Sequence, residues 1–262
     1  MTADTRKVLL ERDGDVAVLT LSDPASLNAL AERMLGQLLD AIHQLRLEQE
    51  KPRCLLITGA GRGFCSGSDI GAMLKADGRA ARARLQRRHA AIQAVYRLEK
   101  PVIAAVQGPA AGIGFSLAMA CDMIVATQSA YFQLAFRNVG LVPDGGSVFF
   151  LTQRLGVSRA KDLVMTGRRL EAAEASDWGL VNRLVPDGEL EAATLAFASE
   201  LAAAPTYVIA LSKKMFTAAS SPSLETVLEI ESYAAAVARA SKDHQEGVAA
   251  FKEKRKARFT GE

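Results

Sequence analysis

Residues 101–146 read PVIAAVQGPAAGIGFSLAMACDMIVATQSAYFQLAFRNVGLVPDGG, in which strand-like runs alternate with glycine-marked helix starts. A β-rich run at 102–106 precedes the helix start GIG at 112–114, and a second run at 123–126 leads to VPDGG at 142–146. Helix N-termini present free backbone N–H groups and a dipole that favours negative charge. We therefore predict that this segment forms half of an anion-stabilising pocket.

Asp144 is the candidate base of that pocket, because it is the only acidic residue between Met123 and Lys161. The tetrapeptide Pro-Asp-Gly-Gly is also ordinary turn chemistry, and aspartate is a common helix cap. On the residue pattern alone, both a catalytic role and a capping role stay open for Asp144.

The remaining segments predict an α/β core with a helical C-terminal extension. Alternating apolar residues at 8–12 and 16–21 around Asp-Gly indicate a β-hairpin, and helical spacing indicates an amphipathic helix at 31–47. The apolar run 54–58 is typical of a buried parallel strand, and nearly all of the chain from 189 onward is helical in pattern. No internal repeat of fixed period is visible in the sequence.

Composition restricts the class of partner. A formal charge of +3 and a pI near 8.8 permit an anionic small molecule but do not indicate nucleic acid. The arginine run at 79–88 lacks interleaved aromatics, so it is typical of a solvated helix face, and contact with ligand phosphates is the alternative. No uncharged apolar run approaches the ~20 residues that span a bilayer, so no membrane partner is expected.

The three cysteines, Cys54, Cys65 and Cys121, are widely spaced and odd in number, which favours reduced thiols over a disulfide framework. The first residues, MTADTRK, lack the apolar core of a signal peptide. We therefore expect a cytoplasmic protein.

Two familiar motifs are incomplete. Gly112-x-Gly114 lacks the third glycine of a dinucleotide-binding loop, since Leu117 stands in its place. The run GFSLA at 114–118 approaches a nucleophile elbow, and His244 follows in the Ser–acid–His order of a hydrolase. We favour Ser116 as a small residue on a packed helix. The histidines His43, His89 and His244 do not cluster in the sequence, so no metal site is predicted.

Six short motifs in order resemble the enoyl-CoA hydratase/isomerase (crotonase) family. The most specific is RGFCSGSDI at 62–70. The others are SLNAL at 26–30, KPVIA at 100–104, GLVP at 140–143, GRR at 167–169 and FKEKR at 251–255.

The resemblance implies an α/β fold, a crotonase-like spiral of ββα repeats with a C-terminal helical trimerisation region. On this basis residues 1–200 would form the spiral core and 201–262 the oligomerisation region. The implied substrate is an acyl-CoA thioester, and no separate cofactor is expected because the substrate itself carries coenzyme A. The implied assembly is a homotrimer or a dimer of trimers.

The resemblance also assigns site residues. The backbone N–H groups of Ser68 and Ile113 would form an oxyanion hole for the thioester carbonyl. Removing one donor from a site of this kind costs roughly 2.7–4 kcal/mol of transition-state stabilisation. Phe251 and Lys254 would reach coenzyme A in the same or a neighbouring subunit, and 71–78 would line the acyl end. The full implied set of CoA and substrate contacts is Ser26, Leu27, Ala29, Ser66, Asp69, Ile70, Gly71, Gly112, Phe251 and Lys254.

The chain departs from typical hydratases of the family at two positions. Their two glutamates fall on Ser116 and Phe136, and adding water across a double bond needs a positioned base and acid. The run 136–146 instead resembles the single-carboxylate isomerases, namely Δ3,Δ2-enoyl-CoA isomerases and the ring-epoxide isomerases of phenylacetyl-CoA breakdown. Asp144 would then shuttle a proton.

The leading hypothesis is therefore an acyl-CoA isomerase. We expect the apolar neighbours Leu141, Val142 and Phe136 to raise the pKa of Asp144. The alternatives are a hydratase with an unusual water arrangement and a non-catalytic acyl-CoA-binding protein.

Overall fold

A computed structural model of the chain describes residues 7–48, 51–69, 78–220 and 223–262, with the side chains of 78–81 excepted. The strands are β1 (Lys7–Asp13), β2 (Val16–Ser22), β3 (Cys54–Gly59), β4 (Val102–Val106), β5 (Pro109–Ala111), β6 (Met123–Thr127), β7 (Tyr131–Gln133), β8 (Arg169–Glu171) and β9 (Arg183–Val185). The α-helices are α1 (Glu32–Leu47), α2 (Gly78–Tyr96), α3 (Ile113–Ala120), α4 (Ser147–Thr166), α5 (Ala172–Asp177), α6 (Leu190–Ala202), α7 (Thr206–Ala219), α8 (Leu224–Arg239) and α9 (Lys242–Glu253).

Two sheets organise the chain. The larger has the strand order β1-β2-β3-β4-β6-β9 and is parallel except for the β1–β2 hairpin. The smaller has the order β5-β7-β8, with β5 and β7 parallel and β8 antiparallel to β7. The hairpin and the buried parallel strand expected from the sequence are both present.

Successive turns of the chain form a spiral of ββα units. One unit runs β4, β5, α3 and the next runs β6, β7, α4, so each adds one strand to each sheet. An isolated parallel bridge between Cys65 and Ala110 continues this pattern into the preceding turn. The helices differ in length, 19 residues in α2 against 8 in α3, which explains why the sequence carries no fixed period. The predicted crotonase-like α/β spiral is confirmed.

The core lies on both faces of the larger sheet. Helix α1 covers one face with the apolar positions that its sequence spacing predicts, Met34, Leu38, Ile42 and Leu45. Helix α6 covers the other face with Phe197, Ala198 and Ala202. Strand β3 is buried on both sides, since alternate residues join opposite clusters. Burying each such large apolar side chain contributes roughly 1.5–3 kcal/mol.

The C-terminal helices α7, α8 and α9 bury fewer side chains than α1 and α6 do. Helix α8 has no buried residue in the described chain, although it carries exposed apolar side chains, namely Leu224, Leu228, Tyr233 and Val237. No single helix among the described residues has the length and apolar character to cross a bilayer; α6 and α7 meet that test together only as a pair bent by 97°.

Strands β5, β7 and β8 were not predicted from the sequence, because each is three residues long, too short to show an alternating pattern. Helix α4 runs from Ser147 to Thr166 across a break at Gly156, whose φ of 77° interrupts the helical path. This break agrees with the sequence pattern, which indicates two separate helices at 145–155 and 158–165.

Candidate active site

Two glycines let separate loops approach closely. The φ angles of Gly67 and Gly112 are 104° and 52°, and a Cβ placed on Gly67 would lie 2.9 Å from the carbonyl oxygen of Ala111 and 3.7 Å from Gly112 Cα. A side chain at position 67 would therefore collide with backbone. This contact brings the neighbouring residues, Ser68 and Ile113, to the same region of the molecule.

The amides of Ser68 and Ile113 are available for a ligand. Ile113 is the first residue of α3, so its N–H has no partner within the helix. Within the described ranges, neither N–H donates to an acceptor of the protein. Two unpaired amides beside a helix N-terminus have the chemistry that an anionic oxygen requires.

The backbone places Asp144 against the first turn of α3. A Cβ on Gly145 would lie 2.8 Å from Ser116 Cβ and 3.3 Å from Ile113 Cγ1, so Gly145 packs directly on that turn. The hydroxyl of Ser116 also donates a hydrogen bond to the Asp144 carbonyl oxygen at 3.1 Å. Helix α3 thus positions the Ile113 amide and the aspartate together.

The Asp144 side chain does not cap a helix. The N-cap of α4 is Gly146, in a left-handed conformation and without a side-chain cap bond. Asp144 contributes only its backbone carbonyl, which accepts from the Ser147 N–H at 3.2 Å. The capping alternative raised by the sequence is therefore wrong, and the carboxylate is left for another use.

The Asp144 carboxylate is enclosed and charged groups adjoin it. Its side chain is 12% exposed, Oδ2 lies 3.2 Å from Arg88 Nη1, and Oδ1 is buried without a hydrogen-bond partner among the described residues. Burial raises the pKa of Asp144, against the opposing effects of Arg88 and His89. The direction agrees with the sequence-based expectation. Of the three apolar residues expected to cause it, Phe136 is buried, whereas Leu141 and Val142 are 47% and 81% exposed.

The two positions that correspond to hydratase glutamates hold no carboxylate. Ser116 is fully buried, and its hydroxyl contacts the backbone carbonyls of Gly112, at 3.4 Å, and Asp144. Phe136 is buried, and its Cζ lies 3.8 Å from the point where a Cβ on Gly112 would stand. His244 is exposed on α9, and no hydrogen bond joins it to Ser116 in the described chain. The Ser–His pair of a hydrolase is therefore not assembled.

The predicted CoA-contact loops at 24–30 and 61–68 are joined by hydrogen bonds. Ser66 donates through its hydroxyl to the Ser26 carbonyl at 2.7 Å and through its N–H to the Leu27 carbonyl at 2.8 Å. The Ala29 N–H donates to Ser26 Oγ at 3.2 Å, and Asp69 follows Ser68 directly. The structure brings these predicted residues together beside Gly112.

Asn28 is a site-supporting residue that sequence reasoning passed over. It is fully buried with a φ of 59°, and its amide donates to the carbonyls of Ala60, at 2.9 Å, and Gly63, at 2.7 Å. It therefore fixes the loop that carries Ser26 and Leu27. The sequence signal for this supporting role was the position of Asn28 at the centre of the SLNAL motif.

The remaining predicted contacts either lie outside the described residues or are described without a link to this site. Ile70, Gly71 and the rest of the expected acyl-end segment lie outside the described residues, apart from the backbone at Gly78. Phe251 is 86% exposed at the end of α9, and Lys254 is the left-handed C-cap of that helix. No hydrogen bond or ion pair of the described residues connects either one to the loops at 24–30 and 61–68.

The position of Arg88 differs most from the sequence-based prediction of a solvated helix face. Its side chain is 12% exposed and faces Asp144, so it does not belong to a solvated helix face. The adjacent Arg87 fits that description, since it is 58% exposed and pairs with Glu32 at 2.8 Å. No group of three or more His, Cys, Asp or Glu side chains in the described part of the chain forms a metal site.

Comparison with known proteins shows the family of the chain. The family described as enoyl-CoA hydratase/isomerase matches residues 11–262. The chain is 39% identical over 251 residues to a probable enoyl-CoA hydratase of Rhodobacter capsulatus, covering 94% of this chain and 95% of the relative. It is 36% identical over 258 residues to the 1,2-epoxyphenylacetyl-CoA isomerase of Escherichia coli K12, covering 97% and 98%.

A solved structure gives the same answer for the fold. The crystal structure of a putative enoyl-CoA hydratase from Streptomyces coelicolor A3(2) superposes with a TM-score of 0.94 at 34% identity, covering 100% of this chain and 97% of that one. The spiral fold and the full-length matches together establish that the chain belongs to the enoyl-CoA hydratase/isomerase family, whose members act on acyl-CoA thioesters.

Proposed function

We propose that the protein is an acyl-CoA isomerase that shifts a double bond in an enoyl-CoA thioester. The observation that carries this proposal is the position of Asp144, an enclosed carboxylate in the loop that packs on the first turn of α3, where the Ile113 amide lies. A 1,3-proton shift needs one group that first takes a proton and then returns it, and one carboxylate is sufficient for both steps.

The proposed reaction uses groups of this chain and the substrate only. The thioester oxygen of a 3-enoyl-CoA accepts hydrogen bonds from the Ser68 and Ile113 amides. The Asp144 carboxylate removes a proton from C2, and the electron pair of the C–H bond moves into a dienolate whose charge rests on that oxygen. The resulting carboxylic acid protonates C4, the carbonyl re-forms, and the double bond now lies between C2 and C3. No atom is gained or lost.

The environment of Asp144 suits this cycle. Burial raises its pKa, which makes the carboxylate a stronger base than one in water. The two amides are preorganised by the Gly67–Gly112 contact and need no rearrangement when negative charge develops. Hydration would need a second acid or base, and Ser116 and Phe136 cannot act as one at neutral pH.

The relatives named as hydratases make hydration the competing function, and the E. coli relative suggests a second isomerase substrate, a ring-epoxide thioester.

We further assign residues 201–262 to a homotrimer or dimer-of-trimers interface, because α8 leaves its apolar side chains exposed. A cytoplasmic location is supported by the three buried free cysteines.

The test is a parallel assay of the purified protein with a 3-enoyl-CoA, with crotonyl-CoA and with a ring-epoxide thioester. Conjugation of a 3-enoyl thioester raises ultraviolet absorbance, whereas hydration of crotonyl-CoA lowers it. We expect a rise with the 3-enoyl-CoA, no fall with crotonyl-CoA, and no turnover of the 3-enoyl-CoA by the Asp144→Asn variant. Rapid loss of crotonyl-CoA absorbance would instead assign hydration. Binding of every ester without turnover would assign a non-catalytic protein.

A further inference from the structure

The ion pair between Arg88 and Asp144 is the feature that the proposed reaction leaves unused. Arg88 Nη1 lies 3.2 Å from Asp144 Oδ2, and each side chain is 12% exposed. A pair so enclosed is screened much less than a surface pair, so its effect on the carboxylate is substantial.

The pair is incomplete on both sides. Asp144 Oδ1 and Arg88 Nε are each buried and have no hydrogen-bond partner among the described residues. A bidentate arrangement would have satisfied both atoms. The pair is therefore held by the one contact between Nη1 and Oδ2, and of the two carboxylate oxygens only Oδ2 has a hydrogen-bond partner among the described residues.

Arg88 contacts one oxygen of the carboxylate directly. Oδ2 is the oxygen that Arg88 holds, and Oδ1 is buried with no hydrogen-bond partner among the described residues. The guanidinium therefore stabilises the ionised carboxylate through a direct contact.

Among the described residues, the charged groups that act on the carboxylate come from one helix. Arg88 of α2 contacts Asp144, His89 of the same helix acts on it electrostatically, and both favour its ionised form. From α3, Ser116 binds the backbone carbonyl of Asp144 and not its carboxylate, and Gly145 and Gly146 lead into α4 without a charge. Arg87, on the same turn of α2, is directed to Glu32 of α1.

We propose that Arg88 is a positioning residue for Asp144, which holds the carboxylate through Oδ2 and keeps it ionised until substrate binds. This inference rests on the proposed role of Asp144 as the base. Arginine suits the task because it stays protonated at any working pH. When the carboxylate takes up the proton, its attraction for Arg88 weakens, and the pair re-forms once the proton has moved to C4.

The ion pair affects how the isomerase activity depends on pH. Because Arg88 stabilises the carboxylate, removing its charge raises the pKa of Asp144 further, and the acid limb of kcat/KM moves to higher pH. A nearby opposite charge commonly shifts an aspartate by about one to three units, so we expect a displacement of at least about one pH unit.

The experiment compares Arg88→Gln, which removes the charge, Arg88→Lys, which keeps it, and Arg87→Gln as the matched control on the same helical turn. The isomerisation of a 3-enoyl-CoA is followed from acid to neutral pH for each folded variant. We expect the acid limb to move upward in Arg88→Gln, to return toward the original value in Arg88→Lys, and to stay in place in Arg87→Gln. An unmoved limb in folded Arg88→Gln would overturn the proposal.

A second readout separates this inference from the proposed reaction. The carboxyl of Asp144 is titrated directly by infrared difference spectroscopy or by NMR of ¹³C-labelled aspartate, with Asp144→Asn to assign the signal. The titration midpoint should rise in Arg88→Gln whether or not the protein isomerises any ester. An unchanged midpoint in folded Arg88→Gln would refute the proposal. A raised midpoint in a protein without isomerase activity would refute the proposed function alone.

Discussion

Ser116 Oγ donates a hydrogen bond to the backbone carbonyl oxygen of Asp144 at 3.1 Å. One helix therefore supplies both the N-terminal amide of Ile113 and the support for the aspartate that would work beside it. The serine stands where the resemblance to hydratases places a glutamate. Here it donates a hydrogen bond that holds the Asp144 loop, and in the proposed reaction Asp144 transfers the proton.

Replacing Ser116 with alanine should therefore loosen the Asp144 loop without removing a reactive group. Loss of one buried hydrogen bond costs about 0.5–1.5 kcal/mol. At roughly 2–4 °C per kcal/mol for a chain of this size, the melting temperature should fall by a few degrees. We expect kcat to decrease while the KM for the CoA ester stays nearly constant, as measured by steady-state kinetics and thermal unfolding. An unchanged kcat would mean that the bond does not position Asp144.

Substituting Gly67 with alanine should damage the amide pair. The new Cβ would approach the Ala111 carbonyl oxygen to 2.9 Å at a φ of 104°, so the loop must shift and take the Ser68 amide with it. Losing one such donor costs roughly 2.7–4 kcal/mol, which corresponds to a decrease in kcat of about 100-fold or more.

The matched control is Gly36→Ala on the exposed face of α1, where a Cβ meets nothing within 4 Å. It should leave kcat unchanged and stabilise the helix by about 0.8–1 kcal/mol. Equal activity losses in both variants would show that the effect at Gly67 is not local.

The isomerase activity of the unmodified protein should fall on acidification. Burial raises the pKa of Asp144 above the ordinary value of 3.8, and the base must be ionised to react, so the acid limb should lie above pH 3.8. A raised folded-state pKa means that this group's stabilising contribution is fully present below the unfolded value and is lost as pH rises through the folded value. Protonating Asp144 therefore does not by itself unfold the protein. Circular dichroism should stay constant across the acid limb, and a coincident loss of helical signal would contradict this account.

Lys254 should contribute to the recognition of coenzyme A phosphate in the assembled oligomer. We expect Lys254→Ala to raise the KM for an acyl-CoA by about tenfold, or ~1.4 kcal/mol, but not for the corresponding acyl-pantetheine, which lacks the nucleotide. Lys252→Ala, two residues away on α9, is the control with an exposed lysine. Light scattering should give the mass of a trimer or hexamer. A monomer with an unaltered KM would remove 201–262 from the site.

Much of the fold could be predicted because its larger elements carry clear periodicity. The β1–β2 hairpin follows from Asp-Gly between alternating residues, and α1 buries the apolar positions that its spacing indicates. The three-residue strands of the small sheet could not be found, because their conformation depends on pairing with distant segments and not on local pattern.

The candidate site was predictable where it depends on local motifs. Gly112 and Ile113 follow from the helix-start signal, and Ser68 from the family motif. The partner of Asp144 was not predictable, because Arg88 lies 56 residues away and meets it only through the packing of α2 against α3. The exposure of Leu141 and Val142 was missed because it depends on the path of the loop.

The most direct test of the central claim is a crystal structure with a bound, slowly reacting acyl-CoA analogue. We predict that the thioester oxygen accepts hydrogen bonds from the Ser68 and Ile113 amides at about 2.7–3.1 Å, with a carboxylate oxygen of Asp144 about 3–3.5 Å from C2. A thioester oxygen bound elsewhere, or an Asp144 carboxylate out of reach of C2, would contradict the account.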